Sequence, residues 1–257
     1  MAGRPLAPNP AGAHFLRDRA LITQLSRASG ARTGGLVFDL GAGGGAITAG
    51  LAATGARVIA VERDPRLAAR LRKRFGDEPS VRVVEADLRT IPLPRRDFLV
   101  VSSPPFSVTT ALCRRLMGDP AVRLAGAELI VQWGAARGLT AKRPRDAEIA
   151  WWTARYQIRI VQVINSASFT PPPRVQAAWL SVRPRAVPVS ARGQRCLRAI
   201  LQASYRRPGA RTDIALTCGK RLLLRAGLAP AAPVAEVTAD QWHRLAVLLG
   251  GGSTSAN

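Results

Sequence analysis

The tetrapeptide Ser103-Pro104-Pro105-Phe106 is the part of the sequence best suited to chemistry on a nitrogen atom. Its two prolines fix φ and remove two amide donors, so nearby carbonyls can accept hydrogen bonds without competition. Ser103 adds a small hydroxyl acceptor, and Phe106 adds a flat face for stacking on a base. Together they suit an exocyclic aromatic amine, whose lone pair they would turn toward an electrophilic methyl group. The tetrapeptide alone is equally compatible with a loop that only ends a strand.

A glycine-rich loop and two acids could hold a nucleotide-like cofactor beside this tetrapeptide. Gly41 and Gly43 lie in the run Asp-Leu-Gly-Ala-Gly-Gly-Gly-Ala-Ile-Thr, where they allow a tight turn and close approach of a ligand. Glu62 ends the next apolar run, where α/β nucleotide folds place a carboxylate for the ribose hydroxyls, and Asp87 ends the third run. A dinucleotide remains an alternative, because Ala46 is tolerated at the sixth position of the dinucleotide fingerprint.

Alternating elements must position these residues. Short apolar runs predict parallel strands at 36–40, 56–62, 81–86, 98–102 and 128–132, with helices between them at 46–54, 66–75 and 110–117. This alternation predicts an α/β fold with helices on both faces of the sheet. Residues 157–164 and 175–182 then alternate like an antiparallel pair. Helices are predicted at 194–204, 212–226 and 240–249, with a domain boundary near residue 185.

Composition favours a polyanionic partner. The 257 residues have a net charge of +22, and nucleic acid is the expected partner for such a field, with an acidic membrane surface as the main alternative. The segment 183–225 contains eleven basic residues and one acid, which predicts a basic binding surface on the helical part. No apolar run is long enough for a membrane span or a signal peptide, so a cytoplasmic protein is expected. Three cysteines and two histidines predict neither a disulfide framework nor a metal site.

The order of these motifs resembles S-adenosylmethionine-dependent amino-methyltransferases. More narrowly, the chain resembles the rRNA adenine N6-methyltransferases of the erythromycin-resistance and dimethyladenosine-transferase superfamily. Four further elements match that family: His14-Phe15-Leu16 (Q-[NH]-F-L), residues 43–48 (G-x-G-x-[LI]-T), Gln132-Trp133 after the fifth strand, and residues 169–175 (F-x-P-x-P-x-V). The resemblance covers residues 12–250.

The resemblance implies a Rossmann-like class I methyltransferase sheet with a small C-terminal all-helical domain, and S-adenosyl-L-methionine as cofactor. The implied cofactor-binding residues are His14 and Leu16 at the methionine part, Gly41 and Gly43 at the loop, Glu62 at the ribose, Asp87 at the adenine amine, and Ser103 between cofactor and target. The implied catalytic residues are Ser103, Pro104 and Phe106, with Phe106 stacking on the target. The implied substrate is an unpaired adenine of 23S rRNA, and the implied consequence is resistance to macrolide-type antibiotics.

The sequence departs from the family pattern at two positions. Ala13 stands where the family usually has Gln, and Ser103 stands where it usually has Asn. The run Ser-Pro-Pro-Phe resembles the tetrapeptide of DNA cytosine-N4 methyltransferases, so cytosine-N4 or another nucleic-acid amine is the alternative target. The alternative outside enzymes is an RNA-binding homologue that has lost turnover.

The domain organisation expected from these observations has four parts. Residues 1–12, rich in Pro, Gly and Ala, form a flexible N-terminus, and residues 13–185 form the methyltransferase domain. Residues 186–249 form a basic helical RNA-binding domain, and residues 250–257 form a disordered tail. The protein is expected to be a monomer.

Overall fold

The computed structural model describes residues 14–252. The expected flexible N-terminus, Ala13 and the last five residues of the expected tail lie outside this range. Within it, no helix is long and apolar enough to span a lipid bilayer.

A seven-stranded sheet forms the centre of the molecule, in the order β4-β3-β2-β5-β6-β9-β7. Its strands are β2 (Leu36–Leu40), β3 (Arg57–Glu62), β4 (Val81–Glu85), β5 (Phe98–Ser102), β6 (Leu124–Gln132), β7 (Tyr156–Ile164) and β9 (Ala177–Pro184). The five strands from β4 to β6 are parallel, and β9 runs antiparallel to both β6 and β7. The α/β fold class is therefore confirmed, as is the antiparallel pair, although the fifth parallel strand begins four residues earlier than predicted.

The strand order reverses between β2 and β5, which are direct neighbours in the sheet. A crevice opens at such a reversal, outside the carboxyl ends of the strands, and it is where α/β folds bind ligands. The glycine loop follows β2 and the Ser-Pro-Pro-Phe corner follows β5. The topology thus brings the two motifs together across a gap of more than 50 residues in the chain.

Helices cover the sheet: α1 (Arg19–Ser29), α2 (Ala46–Ala52), α3 (Pro65–Arg74), α4 (Thr109–Met117), α5 (Trp133–Leu139) and α6 (Ala147–Arg155). Asp64 caps α3 by accepting from the backbone N–H groups of Arg66 and Leu67, and Pro65 occupies its first turn. A separate two-stranded sheet pairs β1 (Phe15–Leu16) with β8 (Phe169–Thr170).

The C-terminal part contains α7 (Ala191–Ser204), α8 (Thr212–Ala215), α9 (Lys220–Arg225) and α10 (Ala239–Leu249). The prediction of one helix over residues 212–226 is wrong. Gly219 has a φ of 79°, a left-handed value that interrupts a right-handed helix, so α8 and α9 are separate. Helix α10 packs against α6 and α7, and the fully buried Trp152 and Trp242 belong to the same hydrophobic core.

Candidate active site

A cavity of about 500 Å³ lies at the carboxyl edge of the sheet, where the strand order reverses. The structure brings seven of the residues singled out in the sequence to its wall: His14, Leu16, Gly41, Gly43, Glu62, Asp87 and Ser103. Pro105 also lines the cavity, whereas Pro104 and Phe106 do not, among the residues described. The volume suits a nucleoside-sized ligand.

The glycine loop is held against the end of the neighbouring strand. The backbone N–H groups of Gly41 and Ala42 both donate to the carbonyl oxygen of Val61, at 2.8 and 2.9 Å. Gly43 has a φ of 54°, and a Cβ atom there would lie 2.9 Å from the ring of Phe15. Glycine at this position therefore serves both the turn and the close packing of Phe15 over the loop.

Glu62 is fixed by backbone donors on both of its carboxylate oxygens. Its Oε2 accepts from the N–H of Gly43 at 2.8 Å, and its Oε1 accepts from the N–H of Asp64 at 2.8 Å. A carboxylate offers about four lone-pair positions, so each oxygen keeps one for a further donor. The side chain is thus oriented along the cavity wall and can accept from two hydroxyl groups.

Asp87 is bound differently, because Arg89 surrounds its carboxylate. Arg89 Nε lies 3.0 Å from both Oδ1 and Oδ2, its Nη2 lies 2.6 Å from Oδ2, and its backbone N–H donates to Oδ1 at 2.8 Å. Hydrogen bonds from Arg89, aided by the more distant charge of Arg63, lower the pKa of Asp87 to about 2. Asp87 is therefore ionised at neutral pH.

Asp39, the last polar residue of β2, is a cavity residue that the sequence reasoning did not single out. It is fully buried; its Oδ2 accepts from the hydroxyl of Thr48 at 2.7 Å, and its Oδ1 has no partner among the described residues. Burial raises the pKa of Asp39 to about 7, although hydrogen bonds from Thr48 act in the opposite direction. Its place directly before the glycine loop was the available signal.

Asp39 should make the stability of the fold depend on pH. The pKa of this carboxyl rises from 3.8 to about 7 on folding, so the folded state binds its proton more tightly than the unfolded state. The unfolding free energy of the wild type should therefore fall as pH rises from about 4 to about 7, by a few kcal/mol from this group.

The Asp39→Asn variant should lack this part of the pH dependence. Urea titrations of both proteins across that pH range measure it, since the difference in unfolding free energy should grow in favour of the variant. Parallel curves for the two proteins would contradict the assignment.

The two outlying sequence motifs pair with each other at the cavity mouth. Phe15 lies opposite Thr170 and Leu16 opposite Phe169, so the His-Phe-Leu element and the Phe-x-Pro-x-Pro-x-Val element form the small sheet. His14 Nδ1 donates to the carbonyl oxygen of Pro171 at 2.8 Å. This pairing, across more than 150 residues, places His14 and Leu16 on the cavity wall.

The Ser-Pro-Pro-Phe corner packs against the glycine loop. The hydroxyl of Ser102 donates to the carbonyl oxygen of Leu40 at 2.5 Å, which ties the ends of β5 and β2 together. A Cβ on Gly41 would lie 3.7 Å from Pro104 Cα and 3.8 Å from Pro105 Cδ. The ring of Phe106 lies 5.8 Å from that of His14, tilted by 36°. The corner thus closes one side of the cavity.

Three of the eleven basic residues in the segment 183–225 are held in ion pairs, which narrows the predicted basic surface. Arg183 pairs with Glu128, Arg185 with Asp240, and Arg211 with Asp213. The remaining eight are exposed: Arg192, Arg195, Arg198, Arg206, Arg207, Lys220, Arg221 and Arg225.

Most of the tryptophan side chains of the methyltransferase fold pack in its interior. Trp151, Trp152 and Trp179 are buried, and Trp133 is half-buried against the core. Cys113 is also buried, as expected for a small apolar side chain, and burial raises the pKa of its thiol to about 12. These residues support the sheet and its helices rather than offering exposed stacking surfaces.

The proteins that resemble this chain in sequence or structure include rRNA methyltransferases. The rRNA adenine N-6-methyltransferase of Bacillus licheniformis is 28% identical over 211 residues, covering 82% of this chain and 74% of the relative. The mycinamicin-resistance protein MyrB of Micromonospora griseorubida is 36% identical over 182 residues, covering 69% of this chain and 56% of the relative. The crystal structure of the 23S rRNA methyltransferase ErmE covers 91% of this chain and 99% of that chain, with a TM-score of 0.78 and 27% identity.

The model of the ribosomal RNA adenine dimethylase family matches residues 9–249, which is nearly the whole chain. With the cavity at the strand reversal and the relatives named above, this match confirms the family that the motifs resemble. The chain belongs to the ribosomal RNA adenine dimethylase family, and it is an rRNA adenine N6-methyltransferase.

Proposed function

We propose that the protein methylates N6 of an adenine in 23S rRNA with S-adenosyl-L-methionine, and that this modification gives resistance to macrolide-type antibiotics. The observation that carries the proposal is the single cavity where the cofactor residues predicted from sequence meet the Ser-Pro-Pro-Phe corner. The names of two similar proteins, a 23S rRNA methyltransferase and a mycinamicin-resistance protein, support the choice of rRNA and the consequence.

The cavity wall fits the proposed cofactor. Glu62 has one acceptor position left on each oxygen, matching the two hydroxyls of a ribose. Gly41 and Gly43 leave the loop without side chains, and Oδ1 of buried Asp39, which has no partner among the described residues, would accept a further hydrogen bond. Asp87 would accept from the adenine amine, with His14 and Leu16 beside the methionine part. When bound, S-adenosylmethionine supplies an electrophilic methyl group.

The residues of the corner would orient the target amine. Ser103 and the carbonyl of Pro104 would accept its N–H bonds, and Phe106 would stack on the adenine ring. The two hydrogen bonds would turn the lone pair of the amine out of the ring plane, while the stacking holds the ring in place. No strong base is needed, since the proton leaves after the nitrogen has become cationic; the protein contributes position and electrostatics.

Exposed basic residues would hold the RNA backbone. Arg137, Lys142, Arg143 and Arg145 lie exposed between β6 and α6, or at the end of α5. We further propose that residues 186–249, with the eight exposed basic side chains named above, act as an RNA-binding domain. Phosphate contacts of this kind position a nucleic acid without reading its sequence.

Labelled S-adenosylmethionine tests the proposal directly. The protein is incubated with the labelled cofactor and 23S rRNA, and the modified nucleoside is identified after digestion. Label on N6 of adenine is the expected result. Label on cytosine would support the cytosine-N4 alternative, and tight RNA binding without label would support an RNA-binding homologue that has lost turnover.

The Ser103→Asn variant should methylate rRNA at least as fast as the wild type. Asparagine reaches further than serine and offers a carbonyl acceptor, and a hydrogen bond of this kind is worth about 1 kcal/mol, or roughly a fivefold effect on rate. Single-turnover methylation of rRNA by both proteins measures the effect. A collapse of activity, with unfolding temperature and cofactor affinity unchanged, would show that the alignment of this tetrapeptide with the family motif is wrong.

A further inference from the structure

We infer that Arg89 competes with the cofactor for Asp87, so that RNA which draws Arg89 away strengthens cofactor binding. The inference rests on the proposed function, because it takes Asp87 as the group that accepts from the cofactor's adenine amine. It adds a regulatory role for Arg89, a residue outside the family motifs found in the sequence.

The carboxylates of Glu62 and Asp87 differ in how many lone-pair positions remain for a ligand. Glu62 accepts two hydrogen bonds, one on each oxygen, which leaves about two of its lone-pair positions for a ligand. Asp87 makes four hydrogen-bond contacts, two on each oxygen, all of them with Arg89, whose Nε shares its single hydrogen between the two oxygens. An amine that donates to Asp87 must therefore displace part of the Arg89 side chain.

The competing side chain is free to leave. The Arg89 side chain is 49% exposed and that of its partner Asp87 is 22% exposed, and the two residues are two positions apart in the chain. Ion pairs with this much solvent contact contribute little, so the cost of separating them is small. The backbone N–H of Arg89 would stay on Oδ1 and keep Asp87 oriented after the guanidinium has moved.

RNA phosphates can compete with Asp87 for the guanidinium of Arg89. Arg89 and Arg63 both line the cavity and approach Asp87, with Arg63 Nη1 3.9 Å from Asp87 Oδ2 and its side chain 66% exposed. The chain has a net charge of +22, so RNA phosphates concentrate at its surface at low ionic strength. A phosphate that binds the Arg89 guanidinium leaves the Asp87 carboxylate available to the cofactor. By thermodynamic linkage, a bound cofactor leaves Arg89 available to a phosphate.

Calorimetric titration with S-adenosylhomocysteine tests the competition without turnover. The Arg89→Ala variant is expected to bind S-adenosylhomocysteine about three- to fivefold more tightly than the wild type, the range that an exposed ion pair provides. Arg63→Ala is the matched control, because it removes a neighbouring charge that makes no hydrogen bond to Asp87. Its affinity should change less than twofold or so by the same argument.

Oligouridylate, which offers phosphates but no adenine, tests the coupling. At low ionic strength it should raise the S-adenosylhomocysteine affinity of the wild type and of Arg63→Ala, but not that of Arg89→Ala. Weaker binding by Arg89→Ala, equal tightening by both variants, or an equal response of both variants to oligouridylate would overturn the inference. Absence of S-adenosylhomocysteine binding by the wild type would instead refute the proposed function, and the inference with it.

Discussion

Replacing Glu62 with alanine is expected to weaken S-adenosylhomocysteine binding by about 100-fold, or about 3 kcal/mol. Two losses add to this effect. The ribose loses a charged acceptor for each of its hydroxyls, and each such hydrogen bond contributes about 1.5–3 kcal/mol net of the exchange with water. In addition, the N–H of Gly43 loses the carboxylate that orients the glycine loop toward the cavity.

The Glu62→Gln variant removes the negative charge of the side chain but keeps its size and shape. Its amide oxygen can still accept one bond, while its NH₂ group faces the Gly43 or the Asp64 N–H and cannot accept from it. We expect an affinity between those of the wild type and Glu62→Ala. Isothermal titration of the three proteins measures this, with thermal unfolding to show that they are folded. Binding by Glu62→Ala within a fewfold of the wild type would contradict the ribose assignment.

The strands and the cavity acids were predictable because their signals are local. A parallel strand covered on both faces is a continuous apolar run, and the residue after it stands at the carboxyl edge. Once the edge is known, Glu62, Asp87 and Ser103 must lie near one another, as they do along the cavity wall.

Helix α1 shows a local signal that the sequence reasoning passed over. Asp18 caps it by accepting from Leu21 N, Gly30 ends it with a φ of 74°, and Leu21 and Leu25 are buried on one face. These are ordinary start, stop and periodicity signals. Residues 18–30 therefore carry enough local information to predict the helix.

Other features could not be read from the sequence, since they depend on contacts between distant residues. The β1–β8 pairing joins two-residue strands that show no periodicity of their own. The guanidinium of Arg74 donates to the carbonyl oxygen of Gly44 at 2.6 Å, across 30 residues. The hydrogen bonds from Arg89 to Asp87 depend on the conformation of the Arg89 side chain, which the spacing of residues in the sequence does not determine.

Glu128→Ala is expected to destabilise the fold by about 3–5 kcal/mol, a large part of the total stability of a domain. Glu128 is fully buried in β6 and accepts from Trp179 Nε1, from the Ser181 hydroxyl at 3.3 Å and from the Arg183 guanidinium. Arg183 also donates to the carbonyl oxygen of Ala28 at 2.6 Å, which links α1 to the sheet. Alanine would leave a buried indole N–H and a half-buried cation without their acceptor.

Urea denaturation of two further variants distinguishes the cost of an uncompensated Arg183 charge from the loss of a single hydrogen bond to Glu128. Ser181→Ala removes only a long hydrogen bond, so its effect should stay below about 1 kcal/mol. A double variant, Glu128→Leu with Arg183→Leu, removes both charges together and should be more stable than Glu128→Ala, because no ion is then left uncompensated in the interior. If the double variant is instead the less stable of the two, the packing and backbone contacts of Arg183 outweigh its charge.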